Sequence, residues 1–215
     1  MGDCCSSPGG CWESGFDLSY KLAREQLARM DDIQGQCRKS GARLVDARNV
    51  VLNYLNEQYR ITLPDGEVTL EGSDAEVALR DKILILHYFL GATGTPTTGK
   101  LIAYKQLLGG ISYFPAFSQR AISPLVRGFG RDLEQLIKAA TPLGGRKASQ
   151  GDVSVTINAF ERVPITLVLW RGDGEVPPNG SILFDANISD YLSTEDVTVL
   201  CETLVRKMVR SVRSQ

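Results

Sequence analysis

The sequence predicts an α+β fold, a single domain in which a mainly antiparallel sheet is covered by helices around one central apolar helix. Three observations predict it. Helical and strand-like segments do not alternate as in a parallel βαβ protein; the order is a helix, strands, a helix, a strand, two helices, strands, a helix. VSVTINAF and VPITLVLW are separated only by Glu161-Arg162, a connection that suits adjacent antiparallel strands. ILILHYFL is apolar on every side, so a helix carrying it must be covered from several directions.

The elements follow in chain order. Residues 1–15 read as a flexible, cysteine-containing tail and residues 16–215 as the single α+β domain. Phe16 to Met30 reads as a helix, with Leu18, Leu22, Ala23 and Leu27 at helical spacing and Asp17 as a cap. A polar stretch through Cys37 ends at Ser40-Gly41. Between Arg43 and Leu70 the pattern turns to strands, and Pro64-Asp65-Gly66 makes the turn of a hairpin. Ser73 and Glu76 are spaced as a capping box for a helix reaching Leu90. LIAYKQL reads as a strand, ISYFPAF as a lead into a helix over 118–129, and DLEQLIKAA as a further helix. SILFD is a strand, Asn187 to Asp190 a short helical turn, and Ser193 the N-cap of a helix from Thr194 to Val212, with Asp196 at the N3 place of a capping box. Val197, Leu200, Cys201, Leu204 and Met208 form the stripe that docks this last helix.

Composition narrows the function classes. The formal net charge is −1, so there is no general attraction for phosphate backbones and nucleic acid is not expected as a partner. No apolar run approaches the roughly 20 residues of a transmembrane helix, and the N-terminus lacks the basic flank and apolar stretch of a secretory signal. A soluble cytoplasmic protein is expected. The five cysteines are too unevenly spread for a disulfide framework. Cys37 and Cys201 read as packed thiols. Cys4, Cys5 and Cys11 lack the CxxC spacing that aims two sulfurs at one ion.

Several motifs invite chemistry. Gly94 to Lys100 fits GxxxxGK, but Leu101 stands where a phosphate-binding loop needs Ser or Thr. The segment also leaves a helix and enters a strand, the reverse of the required order, and Pro96 removes an N–H, so it reads as a connection. His87 is the one histidine, so any Ser–His–Asp or Cys–His mechanism must use it. Its place in ILILHYFL suggests a core histidine bonded to a backbone carbonyl; the functional alternative is an axial ligand to haem or a corrinoid. Tyr104, Tyr113, Phe114 and Phe117 either line a pocket for a flat ligand or fill space between helix and sheet. From Trp170 to Asp196 acids are dense, yet Asp173 suits a turn and Glu195 and Asp196 suit the first turn of a helix, where they face the positive end of its dipole. Glu175 and Asp185 remain as a candidate carboxylate pair.

The run KILILHYFLGATGTPTTGKLIAYKQLLGGISYFPAFSQRAISPL, followed by VPITLVLWRGDGEVPPNGSILFDANISDYLSTEDV, resembles the uncharacterised prokaryotic family called domain of unknown function 3786. The likeness spans roughly Phe16 to Arg210 and is most specific at His87-Tyr88, Gly94-Thr95-Pro96, Gly109-Gly110, Tyr113 to Phe117, Leu183-Phe184-Asp185, Tyr191-Leu192 and Glu195-Asp196. The resemblance implies an anaerobic setting in which haem, corrinoid or iron–sulfur metabolism is a natural context. Some relatives look fused to an iron–sulfur segment, but Cys4, Cys5 and Cys11 do not match a four-cysteine cluster motif, so that property does not carry over. No activity is implied.

Three functions are therefore expected in order. The first is a non-catalytic small-molecule or cofactor-binding protein with a tetrapyrrole, haem or corrinoid, as ligand. It would be held by His87, Tyr88, Tyr104, Tyr113, Phe114, Phe117 and Trp170 between the ILILHYFL helix, the Tyr104 to Phe117 segment and the sheet ending at Trp170. The second is an enzyme using Glu175 and Asp185 for acid–base or metal chemistry. The third is an interaction module, with a homo-oligomer among its forms.

Overall fold

Two groups of alternating segments make two antiparallel sheets. The computed structural model describes residues 10–173 and 175–213. In the first sheet, β1 (Arg43–Asp46), β2 (Asn49–Tyr54), β3 (Glu57–Thr62) and β4 (Glu67–Leu70) lie side by side in chain order. Leu55 and Asn56 join β2 to β3 with φ of 48° and 67°, the two left-handed positions of a tight hairpin. The expected turn at Pro64-Asp65-Gly66 joins β3 to β4, with Gly66 at φ 69°. The second sheet has the order β5-β9-β8-β7-β6, with β5 at Leu101–Ala103, β6 at Arg146–Lys147, β7 at Val153–Phe160, β8 at Val163–Trp170 and β9 at Asn179–Asp185. As predicted, β7 and β8 are antiparallel neighbours across Glu161-Arg162. The Leu55 N–H donates to the Ala159 carbonyl at 2.9 Å and ties the two sheets together.

The helices are α1 (Gly10–Ala28), α2 (Ile33–Ser40), α3 (Leu79–Gly91), α4 (Gly110–Phe117), α5 (Ser123–Phe129), α6 (Glu134–Ala140) and α7 (Thr194–Arg213). The apolar segment of α3 is the predicted central helix: Leu84, Ile85, Leu86, Tyr88 and Phe89 are fully buried, and α1, α2 and α7 flank it. The α7 stripe Val197, Leu200, Cys201, Leu204 and Met208 is buried as expected. No helix of the described residues is long and apolar enough to cross a membrane.

Several local expectations are corrected. Gly10 to Gly15, assigned to a tail, belong to α1, so Asp17 lies inside the helix and does not cap it. Cys4 and Cys5 lie outside the described residues, as does the side chain of Cys11. Leu18 and Leu22 stay exposed; only Ala23 and Leu27 of the expected stripe are buried. The polar stretch before Ser40 is α2, capped by Asp32, whose Oδ1 accepts from the Gly35 N–H at 2.7 Å. The Ser73–Glu76 capping box does not form: the Ser73 hydroxyl accepts from the Ala75 N–H two residues on, and α3 starts later, at Leu79. The strand LIAYKQL stops at Ala103, because the Gln106 side chain accepts from the Ala103 N–H at 2.8 Å and folds residues 104–106 into a 3-10 turn. ISYFPAF is itself helical as α4. Pro115 inside it cannot donate to the ladder, and the chain widens into a π turn over Ser118–Ile122 before α5.

Candidate functional site

The seam between α3 and α7 holds a row of polar pairs in an otherwise apolar interior. Asp81 lies 3.3 Å from the Lys207 ammonium, Arg80 reaches Glu202 at 3.0 Å, and His87 Nδ1 stands 2.7 Å from Asp196 Oδ1. Rising numbers on α3 meet falling numbers on α7, so the helices run antiparallel. Arg80 and His87 are seven residues apart and share one face of α3, about 10 Å apart along its axis. That face is the break in the helix's apolar surface, and α1 lies across it.

His87 is not the carbonyl-bonded core residue that the sequence suggested. Its side chain is 29% exposed, its Nδ1 meets Asp196, and its Nε2 lies 3.2 Å from the Ser19 hydroxyl on α1. Asp196 has two jobs. It closes the predicted capping box of α7: its N–H donates to Ser193 Oγ at 3.1 Å, and the Ser193 N–H and hydroxyl donate to its Oδ2 at 3.3 and 2.6 Å. Its other oxygen takes the imidazole. Burial alone would raise the pKa of this carboxyl, but the His87 and Ser193 bonds outweigh burial and hold it below the ordinary value. In the neutral imidazole an ionised Asp196 draws the proton to Nδ1, and Nε2 is then the acceptor for the Ser19 hydroxyl.

His87 and Ser19 line a cleft of about 340 Å³ bounded by α1, α3, α7 and the π turn. Phe16, Ser19, Ile83, Leu84 and Val199 give it mixed walls, and Arg80, Arg120, Glu195 and Asp196 bring charge. Glu202, beneath the guanidinium end, is 13% exposed on its side chain. It accepts from Arg80 at 3.0 Å, from Arg120 Nε and Nη2 at 2.9 and 2.6 Å, and from Arg206. Burial works to raise the pKa of Glu202, and the Arg120 and Arg80 contacts override it and lower the pKa.

Of the residues expected to hold a cofactor, His87 alone lines this cleft. Tyr88, one residue on and so about 100° round the helix, points the other way. Its ring stacks on Phe160 at 4.0 Å and its hydroxyl donates to the Ser40 carbonyl at 2.6 Å. Tyr104 and Phe117 stack at 3.9 Å inside the core, and the Tyr104 hydroxyl shares a 2.7 Å bond with Thr198. Phe114 is half-buried beneath Lys105, whose ammonium lies 4.2 Å from the ring centre. Tyr113 and Trp170 are exposed, Trp170 at the end of β8. The space between α3 and the Tyr104 to Phe117 segment is thus filled by side chains.

The carboxylate pair does not assemble. Glu175 is exposed in a turn where Asp173 accepts from the Glu175 and Val176 N–H groups at 2.9 and 2.7 Å. Asp185 ends the far side of β9, about 20 Å away along the strand. It is buried and fully engaged: Thr98 and Gly99, from the GxxxxGK look-alike, and Asn187 all donate to it. The amides that might have cradled a phosphate hold the protein's own carboxylate. Sequence reasoning also missed Ser19, Arg80, Arg120 and Glu202. Only the unbroken helical periodicity of α3 hinted that Arg80 and His87 share a face.

Among the described residues, no group of three or more His, Cys, Asp or Glu side chains is placed to hold a bare metal ion. The fold and cleft define an α+β protein built around a carboxylate-supported histidine. The chain belongs to the family described as domain of unknown function (DUF3786), whose profile matches residues 32–207. No curated protein and no solved structure matches the chain. His87, Ser193 and Asp196 fall inside the matched region, whereas α1, with Phe16 and Ser19, precedes it.

Proposed function

We propose that the protein binds a small molecule or cofactor in the His87 cleft, with His87 Nε2 as its ligand atom and a tetrapyrrole, haem or corrinoid, as the leading candidate. One observation carries this reading: the Nδ1 contact to Asp196 at 2.7 Å, with Nε2 directed at Ser19 and both His87 and Ser19 lining the cleft. A carboxylate behind the imidazole orients the ring and sets which nitrogen carries the proton, as at many metal-bound histidines. A bare zinc ion needs about three or four protein ligands. A metal carried in a macrocycle would need a single side-chain ligand from the protein, and His87 would supply it. The cleft volume falls within the range of small-molecule sites. The aromatic residues contribute core packing to this reading, not walls, and the incoming ligand must displace the Ser19 hydroxyl from Nε2.

Titration with haemin and with hydroxocobalamin, followed by absorbance, tests it. A spectral change that saturates in the wild type, disappears in His87→Gln and tightens in Ser19→Ala supports the reading, with circular dichroism confirming each fold. Equal titration of the wild type and His87→Gln would refute it.

A second reading rests on the 3.2 Å contact between Ser19 and Nε2. Ser19, His87 and Asp196 stand in the order nucleophile, base and orienting acid, so the imidazole is placed to take the Ser19 proton during attack on an activated acyl or phosphonyl group. A fluorophosphonate that modifies Ser19 in the wild type but not in His87→Gln supports this alternative; an unmodified Ser19 removes it.

A further inference from the structure

Arg120 sits in the π turn Ser118–Ile122, a rare widening of helical geometry that concentrates at functional sites. Its neighbour Ala121 is fully buried, which anchors the turn against the core. Glu202 fixes the guanidinium from below through two donor nitrogens, Nε and Nη2. Arg80 reaches the same carboxylate through Nη1 and lies over the Phe16 ring at 4.9 Å. Each guanidinium carries five N–H groups, so both keep donors beyond those that Glu202 occupies. Their side chains are 37% and 34% exposed, on the wall of the same cleft as His87.

The charge in the cleft is therefore divided along its length. Asp196 and Glu195 belong to the end at the start of α7, beside His87. Arg80 and Arg120 form the other end, with three arginines, Arg206 included, gathered on the single carboxylate of Glu202. A lone carboxylate does not neutralise three guanidiniums, and two of these face the cleft. Guanidiniums with preset orientation recognise carboxylate and phosphate oxygens through paired bonds.

We propose that Arg80 and Arg120 form an anion subsite, so that the ligand of the His87 cleft carries an acidic arm, carboxylate or phosphate, on the side of the cleft about two turns of α3 away from His87. This rests on the cofactor reading of the cleft and narrows it: among tetrapyrroles it favours one with free carboxylates over one whose side chains are all amides or esters. Glu202 serves as the positioning residue that holds both guanidiniums in place before the ligand arrives.

The test uses the full chain with three probes, haemin, haemin dimethyl ester and inorganic pyrophosphate, and the variants Arg120→Gln and Arg206→Gln. Arg206 shares Glu202 but does not line the cleft, so its variant reports on structural damage alone. Arg120→Gln is expected to weaken haemin about tenfold, the worth of a lost charge-assisted hydrogen bond, and to leave the dimethyl ester unchanged. Arg206→Gln is expected to bind both as the wild type does. Pyrophosphate is expected to raise the thermal midpoint of the wild type and Arg206→Gln, but not that of Arg120→Gln. Haemin bound through His87 with no loss in Arg120→Gln overturns the anion subsite and leaves the cofactor reading standing. A pyrophosphate shift that requires Arg120, with haemin binding indifferent to His87, upholds the subsite and overturns the cofactor reading. A wild type that pyrophosphate does not stabilise also overturns the subsite.

Discussion

Replacing Asp185 by Asn changes one atom and should cost about 3–5 kcal/mol. The carboxylate accepts from Thr98 N at 3.0 Å on both oxygens, from Thr98 Oγ1 at 2.8 Å, from Gly99 N at 2.7 Å and from Asn187 N at 3.1 Å. Asn keeps one oxygen. Placed at Oδ1 it retains the Thr98 and Asn187 donors, but its NH2 then faces the Gly99 N–H, donor against donor. The lost charge-assisted bond from Gly99, itself an exposed residue, is worth about 1.5–3 kcal/mol, and loss of the charge weakens each remaining bond by a further fraction of that. For a chain of this size such a loss lowers the thermal midpoint by about 6–20 °C. Burial by itself would raise the pKa of Asp185, yet the amide and hydroxyl bonds from Thr98, Asn187 and Gly99 prevail and lower it. A carboxyl whose pKa is lower in the folded state stabilises above its unfolded pKa, near 3.9, and that contribution is lost as pH falls through the folded value. The wild type should therefore lose stability below about pH 4 more steeply than Asp185→Asn, the difference between them shrinking with acid. Urea unfolding at pH 7 and at descending pH measures both. A variant within 1 kcal/mol of wild type at pH 7, or a gap that grows with acid, would refute the reasoning.

Further outcomes follow from single contacts. Gly110→Ala places a Cβ 2.0 Å from the Tyr104 carbonyl oxygen, a backbone atom that cannot swing aside, and should cost about 2–3 kcal/mol in urea unfolding. Leu204→Ala empties a fully buried site on α7 and should cost about 2–5 kcal/mol by the same assay. Burial pushes the thiols of Cys37 and Cys201 up, so iodoacetamide at pH 8 should label neither in the folded protein and both in urea, as peptide mass spectrometry will report.

The carboxylate of Asp196 shows how far a sequence can be read. Its place three residues after Ser193 predicted a capping box, and the box forms, because capping joins groups that are neighbours in the chain. Its second bond, to His87, crosses 109 residues and has no local signature. Gln36 is a similar case. In a stretch read only as polar, its amide donates to the carbonyls of Phe89, Leu90 and Ala92 and closes the end of α3. The Ser73–Glu76 box failed for the converse reason: the hydroxyl had a nearer N–H to satisfy.

Periodicity and turn chemistry, read along the chain, determined the α+β class, the apolar α3, the β7–β8 pairing and the docking stripe of α7, since each depends on spacing within a few residues. Which polar side chains meet was decided by tertiary structure alone. Ser19, His87 and Asp196 converge, and Arg80 and Arg120 share a carboxylate, because helices distant in sequence cross there, while Asp185 fills the loop that mimics a phosphate cradle because β9 pairs with β5. A polar group taken out of water needs a partner wherever folding brings one within bonding distance, and that partner is chosen by the crossing of elements rather than by neighbours in the chain.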